Sequence, residues 1–186
     1  MNIEIRQTKL AVAAQYTILI EDTESYFASK KLFRLLTEID FVNTNRYPNL
    51  LSIQKRWAWF KSSYDILWMN GEKAEFRTKS IWDGSYTCVF KQDLYDIIRH
   101  SNGRLYSVFK NNQQIAWWDK NKFVWLDGDV YKVTCNSDVN VELLASLCLI
   151  VDDITTANRK DGLFSAQFNN HAFEDREFNE RWRPEN

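Results

Sequence analysis

LLASLCLIV, residues 143–151, is an apolar run that only Ser146 and Cys148 interrupt, and it decides the fold. No residue in the run is charged, so a helix over it is apolar on every face and must be enclosed on every face. The run is also far shorter than the ~20 apolar residues that span a bilayer. It therefore predicts a buried helix over about 139–154, with N-cap candidates at 136–138 and with Asp152 and Asp153 where the helix meets solvent.

The chain before this helix is a succession of strand-like runs separated by turn signals. Several runs alternate apolar and polar residues, as in SYTCVFKQ at 85–92, which is typical of half-buried strands. The turn signals between the runs are Asn70-Gly71, Asp83-Gly84, Asn102-Gly103, Asn111-Asn112, Asp119-Lys120-Asn121 and Asp127-Gly128. We expect a mainly β fold, a closed or nearly closed antiparallel barrel of about a dozen strands around the apolar C-terminal helix. Residues 22–45 fit either a helix or short strands.

Composition and charge exclude several classes of function. The chain has 24 basic and 25 acidic residues and a net charge of −1, so we expect no nucleic-acid partner. The cysteines are Cys88, Cys135 and Cys148, an odd number without a CxxC pair, which predicts a reduced, cytoplasmic protein. The apolar stretch at 10–14 is too short for the core of a signal peptide.

Three segments resemble the tubby C-terminal-like superfamily, which includes tubby domains, phospholipid scramblases and LURP-one-related proteins. They are QYTILIEDTESYFASK (15–30), the strand pattern from SYDILW (63–68) to DVYKV (129–133), and VELLASLCLIVDDI (141–154). The resemblance covers roughly residues 1–156. It implies a barrel around a central hydrophobic helix, and a non-enzymatic binding or scaffold module that recognises phosphoinositide or other anionic lipid headgroups.

The sequence predicts a boundary near residue 156, with a barrel at 1–156 and a polar, aromatic tail at 157–186. The tail keeps five aromatic residues, more than a wholly disordered segment usually carries. We expect it to be partly helical over 171–183, or to dock on its own barrel or on a partner. These aromatic residues are Phe164, Phe168, Phe173, Phe178 and Trp182.

No assembled catalytic or metal-binding set is visible in the sequence. The only histidines are His100 and His171, and neither lies in a cluster with cysteines or carboxylates. We therefore predict no catalytic residue, no metal, no cofactor and no enzymatic activity.

Clusters of basic residues are the candidate binding site. Lysine and arginine suit anionic headgroups, and the clusters form an anion-binding groove if they converge on one face of the barrel. The alternative is a solvated strand face with interleaved acids. The groove residues are Lys30, Lys31, Arg34, Lys55, Arg56, Arg77 and Lys79.

Tryptophans and the tail leave two further hypotheses open. Trp57, Trp59, Trp117 and Trp118 fit core packing first and a partner surface second; the adjacent pair must point to opposite sides of a strand. One rival function is a calycin-like barrel that carries a small ligand in an open lumen, with the helix outside. The other is an oligomerising protein whose tail docks on a neighbour.

Overall fold

The structure is a computed structural model that describes residues 1–9, 14–31, 35–44, 48–57, 61–80, 84–100, 104–122, 128–160 and 176–185. It is a closed antiparallel barrel of twelve strands with one α-helix, as the sequence predicts. The strands are β1 (Asn2–Lys9), β2 (Ala14–Ile20), β3 (Thr23–Lys30), β4 (Glu38–Asn43), β5 (Asn49–Arg56), β6 (Ser63–Trp68), β7 (Lys73–Ser80), β8 (Ser85–Phe90), β9 (Asp93–Arg99), β10 (Leu105–Lys110), β11 (Gln113–Lys122) and β12 (Asp129–Cys135).

The barrel is a meander that closes on itself. Each strand pairs with the strands before and after it in the chain, and β1 pairs with both β2 and β12. Ile5 of β1 stands opposite Ile18 on one side and Tyr131 on the other, and all three are buried. Closure thus brings the beginning and the end of the barrel sequence together and leaves no unpaired edge.

The helix α1 (Val141–Lys160) fills the barrel. Residues 143–155 are all buried, and the apolar ones among them form one core cluster with the inward-facing side chains of the strands. The apolar run is therefore enclosed on every side, as predicted. An arrangement with the helix outside an open lumen, which would favour a calycin-like carrier, is not the one observed.

Both ends of the helix differ from the prediction. The Asn140 Oδ1 atom accepts a hydrogen bond of 2.7 Å from the backbone N–H of Leu143, so Asn140 is the N-cap and the candidates at 136–138 are wrong. At the other end the helix continues past 154 to Lys160.

Two predicted turns join strands of the barrel. At Asn111–Asn112 both residues have positive φ angles, 48° and 73°, as a tight hairpin requires. Gly71, in the turn after Asn70, has a φ of 88°. Asp83, Asn102, Gly103 and Asp127 lie outside the described residues, as do the turns predicted there in whole or in part.

The predicted turn at Asp119-Lys120-Asn121 is wrong, because β11 runs through these residues without a break. Their polar character has another cause: Lys120 is buried and makes ion pairs inside the barrel. Residues 22–45, which by sequence fit either a helix or short strands, form the two strands β3 and β4 in their described part.

The two adjacent tryptophans point to opposite sides of β11, as expected. Trp118 is fully buried and stacks on Tyr106 with 5.1 Å between ring centroids. Trp117 faces the outside, where the ring of Phe178 from the tail lies 5.7 Å away. Phe178 also lies 5.0 Å from the ring of His100. Trp59 lies outside the described residues.

The described part of the tail, residues 176–185, lies against the barrel and contains no helix. Arg176 donates a hydrogen bond of 2.6 Å to the side chain of Asn112, and the backbone N–H of Glu185 donates one of 2.9 Å to Asn136 Oδ1. Residues 171–175 of the expected helix are outside the described residues. The domain boundary at 156 stays a prediction.

Candidate functional site at the carboxylate end of the barrel

Asp152 and Asp153 of α1 mark one end of the barrel, which we call the carboxylate end. Both side chains are buried, with 2% and 8% of their surface exposed, so the prediction that they meet solvent is wrong. Because the helix continues for two more turns, these carboxylates face the barrel wall instead. At this end the odd-numbered strands finish and the even-numbered strands begin.

Asp152 accepts hydrogen bonds from four strands of the wall. Lys120 Nζ lies 2.8 Å from Asp152 Oδ1, and Tyr131 donates its hydroxyl to the same oxygen. The hydroxyl of Tyr16 and the amide of Gln7 donate to Asp152 Oδ2 over 3.0 and 3.3 Å. Burial and the Asp152 charge raise the pKa of both tyrosines, so the phenols stay protonated and keep donating.

Asp153 makes a second set of contacts on the other side of the barrel. Lys30 Nζ lies 2.6 Å from one carboxylate oxygen, and the hydroxyl of Tyr64 donates to the other over 2.8 Å. Burial alone would raise the pKa of Asp153. The Lys30 charge and hydrogen bonds from Lys30, Tyr64 and Thr37 outweigh burial, so this pKa lies below its usual value.

These contacts suit a structural role rather than an acid–base one. A third carboxylate, Asp129, lies 2.7 Å from Lys120 Nζ, so Lys120 bridges β12 and the helix. Asp152 is enclosed and saturated with donors, which leaves it poorly placed to exchange a proton with a substrate. Because the donors come from opposite sides of the wall, they fix the rotation of the helix about its axis.

The predicted groove residues share the carboxylate end but point in two directions. Lys30 stands opposite buried Ile39, and Lys55 stands opposite buried Tyr64, so both face the barrel interior. The Lys55 ammonium lies 5.7 Å from the centre of the Tyr64 ring. The remaining described residues of the set are on the outer wall: Lys31, Arg56, Arg77 and Lys79. Arg34 lies outside the described residues.

Acidic partners accompany the outer basic residues. Lys31 Nζ lies 2.5 Å from Glu38 and 3.1 Å from Asp40. Arg56 lies 3.6 Å from Asp65, and Arg77 lies 2.9 Å from Glu75. The backbone carbonyl of Lys79 accepts a hydrogen bond from Lys61 Nζ. The described basic residues of the set thus share one end of the barrel but not one face, and the outer ones alternate with carboxylates.

Two exposed apolar side chains at this end were not part of the predicted site. Leu35 is 91% exposed and Trp57 is 72% exposed. The backbone hydrogen bond from Lys55 N–H to the Thr37 carbonyl, 2.8 Å long, holds Thr37 beside the end of β5. Leu35 precedes Thr37 by two residues and Trp57 follows Lys55 by two, so both belong to the same end of the barrel. Trp57 was visible in the sequence as one of several tryptophans, whereas nothing there distinguished Leu35.

Two features of the described residues bear on the chemistry that they can support. Among them, no helix is both long and apolar enough to cross a membrane. They also contain no group of three or more histidine, cysteine or acidic side chains placed to hold a metal ion.

Comparisons with known proteins give one match. The family model described as LURP-one-related matches residues 1–152, which is most of the chain and all of the strands. No curated protein and no solved structure matches the chain.

Proposed function

The chain belongs to the LURP-one-related family of the tubby-like superfamily, and from this premise we propose that it is a non-enzymatic module that binds anionic membrane surfaces. The proposal places the contact at the carboxylate end of the barrel. It also places the protein in the cytoplasm, where buried Cys88, Cys135 and Cys148 stay reduced.

The observation that carries the proposal is the exposure of Leu35 and Trp57 at the end of the barrel that also carries Lys31 and Arg56. Tryptophan is favoured at the boundary between lipid and water, and an exposed leucine gains by entering the acyl region. Each basic residue near an anionic leaflet contributes about 1 kcal/mol. Arg56 directly precedes Trp57 in the sequence, and Lys31 precedes Leu35 by four residues.

The acidic partners weaken this surface without cancelling it. Arg56 and Arg77 keep 49% and 66% of their side-chain surface exposed, and the Arg56–Asp65 distance of 3.6 Å is long for an ion pair. Exposed pairs contribute at most about 1 kcal/mol. A guanidinium can therefore exchange a surface carboxylate for a lipid phosphate, which it binds in the same bidentate way.

Vesicle co-sedimentation tests the proposal. We expect binding to vesicles of phosphatidylcholine with phosphatidylserine, none to phosphatidylcholine alone, and weaker binding at higher salt. A third vesicle, with a phosphoinositide at the same total charge, tests the headgroup: tighter binding supports phosphoinositide recognition, and equal binding reduces the proposal to charge and apolar insertion. Failure to bind either anionic vesicle at low salt would overturn it.

Matched variants test the location of the contact. The double variant Leu35→Ser/Trp57→Ser should weaken binding about tenfold or more, and Arg56→Glu should weaken it and flatten the salt dependence. Met69→Ser is the apolar control, because Met69 is also 72% exposed but lies in the β6–β7 turn at the opposite end. Lys132→Glu, on the outer face of β12, is the charge control. Equal losses in the controls would contradict this location.

A further inference from the structure

A cavity of about 220 Å³ lies at the opposite end of the barrel, beside the first turns of α1. Its apolar walls are side chains of the helix and of strands β8, β10 and β11. They are Phe90, Val108, Ile115, Leu143, Leu144 and Leu147. Polar and aromatic groups also line the cavity, namely Lys91, Asp93, Tyr95, Lys110, Asp138 and Asn140. An apolar cavity of ~150 Å³ in a protein core suffices for a benzene molecule, so this one has room for about six to eight carbon atoms.

A β-bulge shapes the wall of this cavity. Val108 pairs with Ala116 and Phe109 pairs with Gln114, so Ile115 is the extra residue of β11 and has no partner on β10. The carbonyl of Ile115 is instead bonded to the backbone N–H of Asn136 over 2.9 Å. Bulges redirect side chains and are frequent beside binding sites. Here the bulge directs Ile115 into the cavity wall.

The mouth of the cavity carries balanced charges. Lys110 Nζ lies 2.9 Å from Asp93, and Asp138 also lines the opening. Lys91, the other cation at the mouth, pairs with Glu72 over 2.8 Å. An anionic ligand would have to displace Asp93 and face Asp138. A neutral polar group can hydrogen-bond to these side chains without breaking an ion pair.

From this arrangement we infer that the cavity is a binding site for a neutral amphiphile with an alkyl or aryl group of about six to eight carbons. The apolar group occupies the space beside Leu144 and Leu147, and a hydroxyl or amide stays at the mouth near Lys110 and Asp138. The site is at the end of the barrel remote from Leu35 and Trp57, so it is independent of the proposed membrane contact.

Methyl-labelled nuclear magnetic resonance tests the site with 1-hexanol and hexanoate as probes. We expect saturable shifts from 1-hexanol at the methyl groups of Val108, Ile115, Leu143, Leu144 and Leu147. Hexanoate at pH 7 should bind at least about tenfold more weakly, because it meets Asp93 and Asp138. The absence of saturable shifts at these methyl groups would overturn the inference. Equally tight binding of hexanoate would overturn the assignment of a neutral ligand.

Substitutions that enlarge a side chain test whether filling the cavity removes binding. Val139→Phe fills the mouth from the loop before the helix, and should weaken 1-hexanol binding about tenfold or more. Val89→Phe makes the same change on the outer face of β8, where the side chain is half exposed, and should leave binding unchanged. Val108→Phe fills the cavity from the core if Val139→Phe does not fold. A folded filling variant that binds 1-hexanol like the parent protein would overturn the inference.

Discussion

At the scale of single residues, the buried charges that contact Asp152 and Asp153 contribute more to selecting one packing of the helix than to the stability of the fold. Removing a carboxylate from water is costly, and attraction to a lysine in the interior roughly offsets that cost. Losing one partner, however, leaves the other charge uncompensated. Lys30 and Tyr64 can both bond to Asp153 in only one rotation of the helix about its axis. These contacts therefore select one packing of a helix that is otherwise apolar on every face.

The pKa of Asp153 makes the stability of the fold depend on pH. Because this pKa is lower in the folded state than the usual ~4 of the unfolded chain, the stabilisation is complete above pH ~4 and is lost as the pH falls through the folded value. We expect Asp153→Asn to lower the free energy of unfolding by about 1–2 kcal/mol at pH 7, since Lys30 remains partly hydrated. Urea unfolding between pH 3 and 7 measures the difference, which should shrink below pH ~4.

Asp119→Asn is the control for this change, because Asp119 pairs with Arg104 on the surface. Its effect should not exceed about 1 kcal/mol. A difference between Asp153→Asn and the parent protein that stays constant down to pH 3 would contradict the assigned role of the Asp153 charge.

At the scale of elements, the start of β12 depends on the absence of a side chain at Gly128. A Cβ atom there would lie 1.7 Å from the carbonyl oxygen of Gln7 in β1. The nearest atoms, the carbonyl oxygen and carbon of Gln7, belong to the backbone, so the β1–β12 junction would have to move. The glycine therefore allows the strand pair that closes the barrel to approach this closely.

Gly128→Ala should accordingly destabilise the protein by about 2–3 kcal/mol. Gly71→Ala is its control: Gly71 has a positive φ but open space around it, and this change should lower the free energy of unfolding by only about 1 kcal/mol. The midpoints of chemical denaturation compare the two. Equal effects would show that strain at the barrel closure is not the cause.

Elements were predictable from the sequence where local chemistry determines them. The run at 143–151 and the asparagines of the 111–112 turn act through their own apolarity and φ preference, so the helix and the hairpin follow from them. The predictions for Lys120 and Asp152 were wrong because the partners of these residues are distant in the chain. Lys120 was assigned to a turn and Asp152 to the solvent boundary, whereas the two form a buried ion pair. The hydrogen bond from Lys55 to Thr37, which joins the neighbourhoods of Trp57 and Leu35, depends on strand register, and composition does not encode register.

At the scale of the whole molecule, the tail adds an outer layer to one side of the barrel. Phe178 packs on Trp117, and Arg176 lies 4.4 Å from the centre of the Phe109 ring. The carboxylate of Glu185 is bonded to the side chain of Gln113. These contacts are all made within one chain. Self-association through residues 157–186 remains a proposal that they do not require.

Deleting residues 161–186 separates the two roles of the tail. If it serves its own barrel, the truncated protein should keep its oligomeric state and melt several degrees lower, because Trp117 and Phe109 lose their cover. Analytical ultracentrifugation and thermal unfolding measure the two quantities. A mass that halves on truncation would show instead that the tail joins two copies.

The closure of β1 on β12 around α1 sets the order in which the chain can fold. The first strand waits for a partner more than a hundred residues later, and the helix that fills the barrel is made after every strand. During synthesis on the ribosome, the growing sheet therefore has two unpaired edge strands, and its apolar inner face is exposed. Such topologies fold slowly and are exposed to aggregation until the last segment arrives. The barrel can therefore be completed only after residues 141–160 have been synthesised and packed inside it.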